Sequence, residues 1–260
     1  MNHPPYPAIS ANTLFHFTGH FDNLVSILTN EFHPRFSLEN FNVLSQNAQE
    51  SAELEWAVPM VCFCDIPLSQ IGFHLQVYGD YGIGLTKDWG KRNGIAPVLY
   101  AYRESILTSK VVTILTKMHD EHVGPKLLES LGTELMHLVF FIKPYEGDLW
   151  REGGKLTNVR FYNEREWRFV PTLPEEGYSV GMVKADFLNE ELRREANRKV
   201  GEISRISFDP NDIKYLVVRR DDEIVPLIRE VERIKAKYSY DDVRLLASRV
   251  ISAEQIRSDF

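Results

Sequence analysis

Two carboxylates separated by one residue, Glu164 and Glu166, and a histidine in an apolar segment, His16, are the residues of this chain best suited to chemistry. Side chains two apart in a strand point to one side, so Glu164, Glu166 and Arg168 would share a face, with aromatic residues facing the core behind them. Two neighbouring carboxyl groups can acquire different pKa values and take different roles. The pattern predicts a carboxylate pair on an accessible strand face, with a solvated charge pattern as the alternative.

The segment around His16 predicts a strand over residues 13–18 followed by a helix that Asp22 caps. Thr18 lies two residues after His16 and shares its face, and Gly19 follows, where a backbone can approach a ligand closely. This strand end would present a polar edge to a small molecule. The alternative is a hydrogen-bonded histidine of the core.

A third segment lies between these two in the sequence. The apolar run before Pro67 predicts a buried strand that leaves into a turn bearing Ser69, followed by His74, Tyr78 and Tyr81. The tyrosines could form an aromatic plate for a flat ring, and the serine could bind a ribose or an amide. The alternative is a tyrosine-rich edge of the core.

Composition sets broad limits. The chain has 260 residues, of which 43% are hydrophobic and 26% charged, with a net charge of −7. These values predict one globular domain over residues 1–260, with a core at about 12–220 and a helical extension at about 221–260. The acidic balance argues against a dedicated nucleic-acid binder. The absence of a signal-like or membrane-spanning segment predicts a cytoplasmic protein with no membrane partner.

The remaining pattern predicts an α+β protein. Strands are expected at residues 13–18, 58–63, 81–86, 98–102, 158–170, 203–208 and 215–219. Helices are expected after Asp22, twice within 105–141, at 186–200, at 227–238 and from Asp241 to Val250. Residues 36–56 are polar without a clear period, which predicts a long surface loop or lid.

Other chemical motifs are weak. His119 and His122 could share a helix face, but no second pair of ligands follows at the usual spacing, so no metal site is predicted. Cys62 and Cys64 are expected to be reduced thiols within a strand. The chain has no Gly-rich phosphate loop and no nucleophile elbow.

Residues 12–220 resemble the AbiGi family of bacterial abortive-infection proteins. The resemblance is carried by Leu14-Phe-His-Phe-Thr-Gly19, Asp22-Asn-Leu-Val-Ser-Ile-Leu28, Val61-Cys-Phe-Cys-Asp-Ile-Pro-Leu-Ser69, Tyr78-Gly-Asp-Tyr-Gly-Ile-Gly-Leu85 and Tyr162-Asn-Glu-Arg-Glu-Trp-Arg-Phe169. The order of these segments is also similar to that of ADP-ribosyltransferases, although the middle segment lacks the usual aromatic and serine motifs of both main classes.

The second resemblance implies an ADP-ribosyltransferase-like split, mostly antiparallel sheet with inserted and C-terminal helices. It also implies that NAD is the co-substrate and that Glu166 stabilises the positive charge that develops on the ribose. Glu164 would orient or deprotonate the acceptor. The implied NAD contacts are His16 on the adenosine ribose, Thr18 and Ser69 on the second ribose, the Gly19 amide on the carboxamide, and Tyr78 or Tyr81 on the nicotinamide ring.

The expected function is therefore an NAD-dependent mono-ADP-ribosyltransferase of anti-phage defence, with a protein, RNA or DNA acceptor. The AbiGi family also carries an antitoxin label. The alternative is thus an inactive antitoxin that binds and restrains a cognate toxin.

Overall fold

The computed structural model describes residues 10–45, 54–118, 125–151, 154–174 and 177–259. The strands are β1 (Thr13–Thr18), β2 (Arg35–Asn40), β3 (Glu55–Cys64), β4 (Tyr81–Thr86), β5 (Ala96–Pro97), β6 (Leu99–Ala101), β7 (Ile142–Pro144), β8 (Gly147–Arg151), β9 (Gly154–Val159), β10 (Glu166–Phe169), β11 (Met182–Val183), β12 (Ile213–Val218) and β13 (Val250–Ser252). The helices are α1 (Phe21–Asn30), α2 (Gly72–Tyr78), α3 (Lys87–Arg92), α4 (Ile106–Met118), α5 (Pro125–Val139), α6 (Lys184–Leu188), α7 (Glu190–Ile203), α8 (Ile224–Ile234), α9 (Tyr240–Ala247) and α10 (Ala253–Asp259).

One large sheet organises the described part of the chain. Its strands follow the order β13-β12-β4-β1-β3-β10-β5, and β2 and β11 also pair with β3. Every pairing in this sheet is antiparallel except that of β12 with β13. The expected α+β class with a mostly antiparallel sheet is confirmed.

Alternation along the central strands divides the core between two faces. Leu14 of β1 and Leu216 of β12 point to one side, where α1 and α8 contribute Leu24 and Leu227. The next residue of β1, Phe15, points to the other side, where it packs with residues of α2 and α10. The period of two in the sequence therefore becomes two separate apolar layers.

Several predicted elements are confirmed. Strands β1 and β4 have the predicted bounds, and the stretch 105–141 contains the helices α4 and α5 inserted before β7.

The N-cap of α1 is His20 rather than Asp22, which lies in the first turn. No helix in the described residues has the length and apolar character needed to cross a membrane. The pair His119 and His122 lies outside the described residues.

The predicted loop at 36–56 is wrong over its first part. Residues 35–40 form β2, which pairs with β3 from Arg35 opposite Met60 to Asn40 opposite Glu55. Phe36 is buried, and Leu38 packs beside the same apolar cluster. Two alternating apolar side chains in a polar stretch were enough to give this strand a buried face.

The predicted strand at 158–170 is interrupted. β9 ends at Val159, a 3₁₀ turn covers Phe161–Glu164, and β10 begins at Glu166. Arg165 has a φ of 47° and therefore leaves the extended conformation between the two carboxylates. Glu164 and Glu166 thus belong to different elements rather than to one strand face.

Three further corrections concern the later elements. The predicted strand at 203–208 is absent, because α7 runs to Ile203 and Ile206 forms only an isolated bridge with Phe32. The predicted strand at 98–102 shortens to β6, which pairs with β7 outside the main sheet. The last forty residues are not entirely helical, because β13 adds a parallel strand beside β12.

Gly79 fixes the position of α2 against β1. It follows Tyr78 with a φ of 111° and a ψ of 161°, a conformation that only glycine adopts readily. A Cβ at this position would lie 2.6 Å from the Gly19 nitrogen. The end of α2 therefore lies directly on the backbone at the end of β1.

Replacing Gly79 should separate the cost of this close approach from the cost of a positive φ. Gly94→Ala is the control, because Gly94 has a φ of 72° but nothing within 4 Å of an added Cβ. We expect Gly94→Ala to lower the free energy of unfolding by about 1 kcal/mol and Gly79→Ala to lower it by about 3 kcal/mol or more. Urea titration measures both, and equal losses would contradict the close packing.

Candidate functional site

The main sheet opens beside His16. β1 pairs with β4 over its whole length, but with β3 only at Phe15 opposite Cys64. The earlier part of β3, from Glu55 to Met60, pairs with β2 instead. The Nδ1 atom of His16 lies 2.8 Å from the Cys62 carbonyl oxygen across this opening. The sheet is therefore split between β1 and β3.

His16 must be the donor in this hydrogen bond, because a carbonyl oxygen only accepts. Burial lowers the pKa of His16, which favours the neutral ring. In the neutral ring that donates to Cys62, Nδ1 carries the proton and Nε2 is an acceptor. The fixed ring therefore retains one acceptor nitrogen that the contact with Cys62 does not use.

Two cavities meet at His16. The first has a volume of about 270 Å³, and its polar lining includes Glu39, His74, Tyr78, Lys143, Glu164 and Glu166. The second has a volume of about 410 Å³, and its polar lining includes Thr18, Asn23, Ser26, Glu31, His33 and Arg35. His16, Ser37 and Cys62 line both. The split thus opens into adjoining spaces of the size that small ligands occupy.

Charged side chains form a buried network along the first cavity. Glu166 and Arg168 of β10 pair with each other, and Arg168 Nη2 lies 2.5 Å from Glu39 Oε2. Lys143 of β7 pairs with Glu166 and also with Glu164, its Nζ lying 2.6 Å from Glu164 Oε2. Arg168 is fully buried. Each charged group pairs with at least one group of opposite charge, as burial requires.

The network determines the protonation state of Glu166. Burial raises its pKa, but the charges and hydrogen bonds of Arg168 and Lys143 outweigh this effect and lower it to about 2. Burial also lowers the pKa of Lys143, which its two carboxylate partners more than reverse. Glu166 is therefore an ionised carboxylate at neutral pH although it is only 5% exposed.

Tyrosines fix both carboxylates from other elements. Tyr78 of α2 donates a hydrogen bond to Glu164. The backbone N–H of Glu166 donates to the hydroxyl of Tyr100 at 2.8 Å. Burial raises the pKa of Tyr100, so its hydroxyl stays protonated. Strands β6 and β10 and helix α2 therefore all contribute to the position of the carboxylate pair.

His74 lies one helical turn before Tyr78 and also lines the first cavity. Its ring is buried among aromatic side chains, 6.3 Å from Phe17 and 5.8 Å from Tyr78 between centroids. Burial lowers its pKa to about 4, so the ring is neutral. Neither ring nitrogen has a hydrogen-bond partner among the described residues.

The structure brings half of the predicted site residues to the first cavity. His16, Tyr78, Glu164 and Glu166 line it, and Thr18 lines the second cavity. Gly19 and Ser69 line neither. The Gly19 amide lies under Gly79, where an added Cβ would come within 2.6 Å of it.

Tyr81 packs in the core instead of lining a cavity. It is 5% exposed, and its hydroxyl donates to Glu223 at 2.8 Å. Strand alternation explains this placement, because Tyr81 belongs to the same apolar layer as Ile83 and Leu85. Of the two candidate tyrosines, only Tyr78 is at the first cavity.

The alternative prediction for these residues, a solvated charge pattern, is wrong. Glu164, Glu166 and Arg168 are at most 5% exposed, whereas Trp167 and Phe169 on the other face are only partly buried. Lys143 of β7 pairs with both glutamates. The β8–β9 hairpin follows β7 in the chain. The two carboxylates are therefore buried inside the protein and paired with a lysine, although their sequence pattern resembles that of a surface strand.

Sequence reasoning missed Lys143 and Glu39. The sequence held a signal for Lys143, because this residue directly follows the apolar run 138–142. A lysine beside buried residues needs a partner of opposite charge. Glu39 carried no such signal, because it lies in the polar stretch expected to be a loop. No cluster of metal-ligating side chains is found within the described ranges.

Comparison with known proteins shows the family of this chain. The family model described as "Putative abortive phage resistance protein AbiGi, antitoxin" matches residues 30–219. The chain belongs to the AbiGi family. It is 28% identical over 250 residues to the "Abortive phage resistance protein AbiGi" of Lactococcus lactis subsp. cremoris, covering 88% of this chain and 99% of that protein. No solved structure matches the chain.

Removing Arg168 should destabilise the fold strongly. Arg168→Met leaves Glu39 without its partner and Glu166 with Lys143 alone, and we expect a loss of about 3–5 kcal/mol in the free energy of unfolding. Arg198→Met is the matched control, because Arg198 pairs with Glu195 and Glu202 on the exposed face of α7. Its loss should be much smaller, because water and salt screen exposed ion pairs. Urea unfolding compares the two, and similar losses would show that the buried network does not stabilise the fold.

Proposed function

We propose that this AbiGi-family protein is an NAD-dependent mono-ADP-ribosyltransferase that acts in abortive phage resistance. The observation that carries the proposal is the meeting of His16 and Glu166 on one cavity at the split between β1 and β3. The two residues are 150 positions apart in the numbering and come from different strands. A buried, ionised carboxylate network that lines a cavity is typical of a site that binds a ligand.

The chemistry of Glu166 suits cleavage of the bond between ribose and nicotinamide. As this bond breaks, its electron pair leaves with nicotinamide and positive charge develops at C1′ of the ribose. An ionised carboxylate beside the ribose stabilises that charge and accepts from a ribose hydroxyl. The low pKa of Glu166 keeps the carboxylate in the required form.

Glu164 is the residue proposed to act on the acceptor. The acceptor's nucleophilic atom forms a bond to C1′, and its proton passes to the Glu164 carboxylate. Tyr78 and Lys143 hold Glu164 in place. The retained ring nitrogen of His16 would accept from a ribose hydroxyl, and the Tyr78 ring would lie against nicotinamide.

The formal charge of the network also suits NAD. The carboxylates of Glu39, Glu164 and Glu166 outnumber the cations of Lys143 and Arg168 by one. His74 adds no charge, because its pKa is about 4. The excess negative charge favours the positively charged nicotinamide ring of NAD over a neutral or anionic ring.

Release of nicotinamide tests the proposal directly. The full chain is incubated with NAD and a bacterial lysate that contains protein, RNA and DNA, and free nicotinamide is measured by chromatography. We expect Glu166→Gln to lower release by about 100-fold or more. Glu232→Gln, on the exposed side of α8, is the matched control and should release as much as the unchanged chain.

Circular dichroism and binding of NAD by calorimetry show whether the Glu166→Gln variant remains folded. A folded variant that binds NAD but no longer releases nicotinamide supports the proposal. Absence of release from the unchanged chain in every mixture would overturn it.

The second candidate is an antitoxin, and the family description supports it. An antitoxin would bind a cognate toxin through its surface and would need no NAD. The buried network would then only stabilise the fold. This candidate shares the defence role but not the chemistry.

Growth of bacteria that express the chain separates the two candidates. A transferase should arrest growth when it is expressed alone, and Glu166→Gln should relieve the arrest. An antitoxin should be harmless alone and should restore growth when the cognate toxin is expressed with it. Colony counts after induction measure both effects, with Glu232→Gln again as the control.

A further inference from the structure

Three tyrosines form a cluster next to the carboxylate pair. The Tyr162 ring lies 5.2 Å from that of Tyr100 and 5.5 Å from that of Tyr145. Tyr162 is 50% exposed, whereas the other two are partly buried beneath it. An exposed aromatic ring supported by two others presents a firm flat surface to a ligand.

Backbone contacts hold this cluster beside the first cavity. The Tyr162 N–H donates to the Tyr145 carbonyl at 3.2 Å, and the Tyr145 N–H donates to the Ala101 carbonyl at 2.8 Å. Tyr100 accepts from the backbone of Glu166, and Tyr162 shares its 3₁₀ turn with Glu164. The tyrosine cluster and the carboxylates therefore belong to one rigid unit.

An arginine flanks the tyrosines. Arg160 lies with its guanidinium carbon 5.6 Å from the centre of the Tyr145 ring and is 57% exposed in its side chain. Glu146 lies 4.0 Å away, but that pair is exposed and weak. Arg160 therefore keeps donors that can reach a phosphate.

We propose that the surface formed by Tyr100, Tyr145, Tyr162 and Arg160 binds single-stranded nucleic acid. A base stacks on Tyr162, and Arg160 contacts a neighbouring phosphate. The inference rests on the proposed transferase function in one respect: it makes a nucleobase the acceptor. Arg168 does not take part, because it is fully buried and paired with Glu166 and Glu39.

The transfer to a base balances with the groups present. A base nitrogen supplies the electron pair for the new bond to C1′ of the ribose, and nicotinamide leaves with the pair of the broken bond. The proton of the base nitrogen passes to Glu164, two residues after Tyr162 in the chain. The net charge of −7 predicts that binding is modest and sensitive to salt rather than tight and general.

Fluorescence anisotropy tests the proposal without NAD. The full chain is titrated into short fluorescein-labelled oligonucleotides of mixed sequence, as single-stranded DNA, single-stranded RNA and duplex DNA, at low salt. We expect binding to at least one single strand in preference to duplex. Tyr162→Ala should weaken it roughly 5- to 150-fold, because stacking contributes about 1–3 kcal/mol per base. Tyr162→Phe should retain it.

Tyr240→Ala is the matched control. Tyr240 is 70% exposed on α9, and Arg244 lies 5.2 Å from its ring centre, so it offers the same pair of groups without the carboxylates. The control should bind like the unchanged chain. Arg160→Ala should weaken binding to all sequences alike and flatten its dependence on salt.

Each outcome decides the inference. Weaker binding in Tyr162→Ala but not in Tyr240→Ala supports it, and the oligonucleotide that binds identifies the acceptor as DNA or RNA. No single-strand binding at low salt, or equal losses in both tyrosine variants, overturns it. Because no NAD is present, this result is independent of nicotinamide release, which tests the transferase proposal separately.

Discussion

The ion pairs between Glu166, Arg168 and Lys143 are the interactions on which the rest of the structure depends. They join β10 to β7, and Arg168 extends the connection to Glu39 of β2. Arg168 Nη1 also donates to the Phe140 carbonyl oxygen at 2.7 Å, so the end of α5 is attached as well. Charges removed from water are tolerated only when each has a partner, so these elements must assemble together.

The same constraint explains why the cavity lies where it does. β3 leaves β1 after a single residue pair, and both charged and apolar side chains line the space that opens. His16 spans the opening through its contact with Cys62. The split sheet and the buried charges are therefore two aspects of one arrangement.

Helix α2 shows how backbone geometry serves this site. Gly79 allows the helix to end directly on the end of β1, and Tyr78 then reaches Glu164. A side chain at residue 79 would move the helix outward. Placement of a tyrosine at the carboxylate pair thus depends on a position with no side chain.

The sequence by itself determined the strands β1 and β4, the inserted helices and the types of residue at the site. These follow from alternation, helical spacing and breakers, which are local in the chain. It did not determine β2, the break at Arg165 or the core position of Tyr81, because there the local pattern is weak or compatible with either side of a strand. The residue types alone could not reveal that the carboxylates are internal.

Only the tertiary structure decided what surrounds those carboxylates. Lys143 pairs with Glu166 across 23 positions, and Glu39 pairs with Arg168 across 129. A residue's own neighbours in the chain carry no information about partners at such separations. Burial and electrostatic pairing are properties of the assembled elements, so the change from a charged strand to an enclosed, ionised site arises only when the chain is folded.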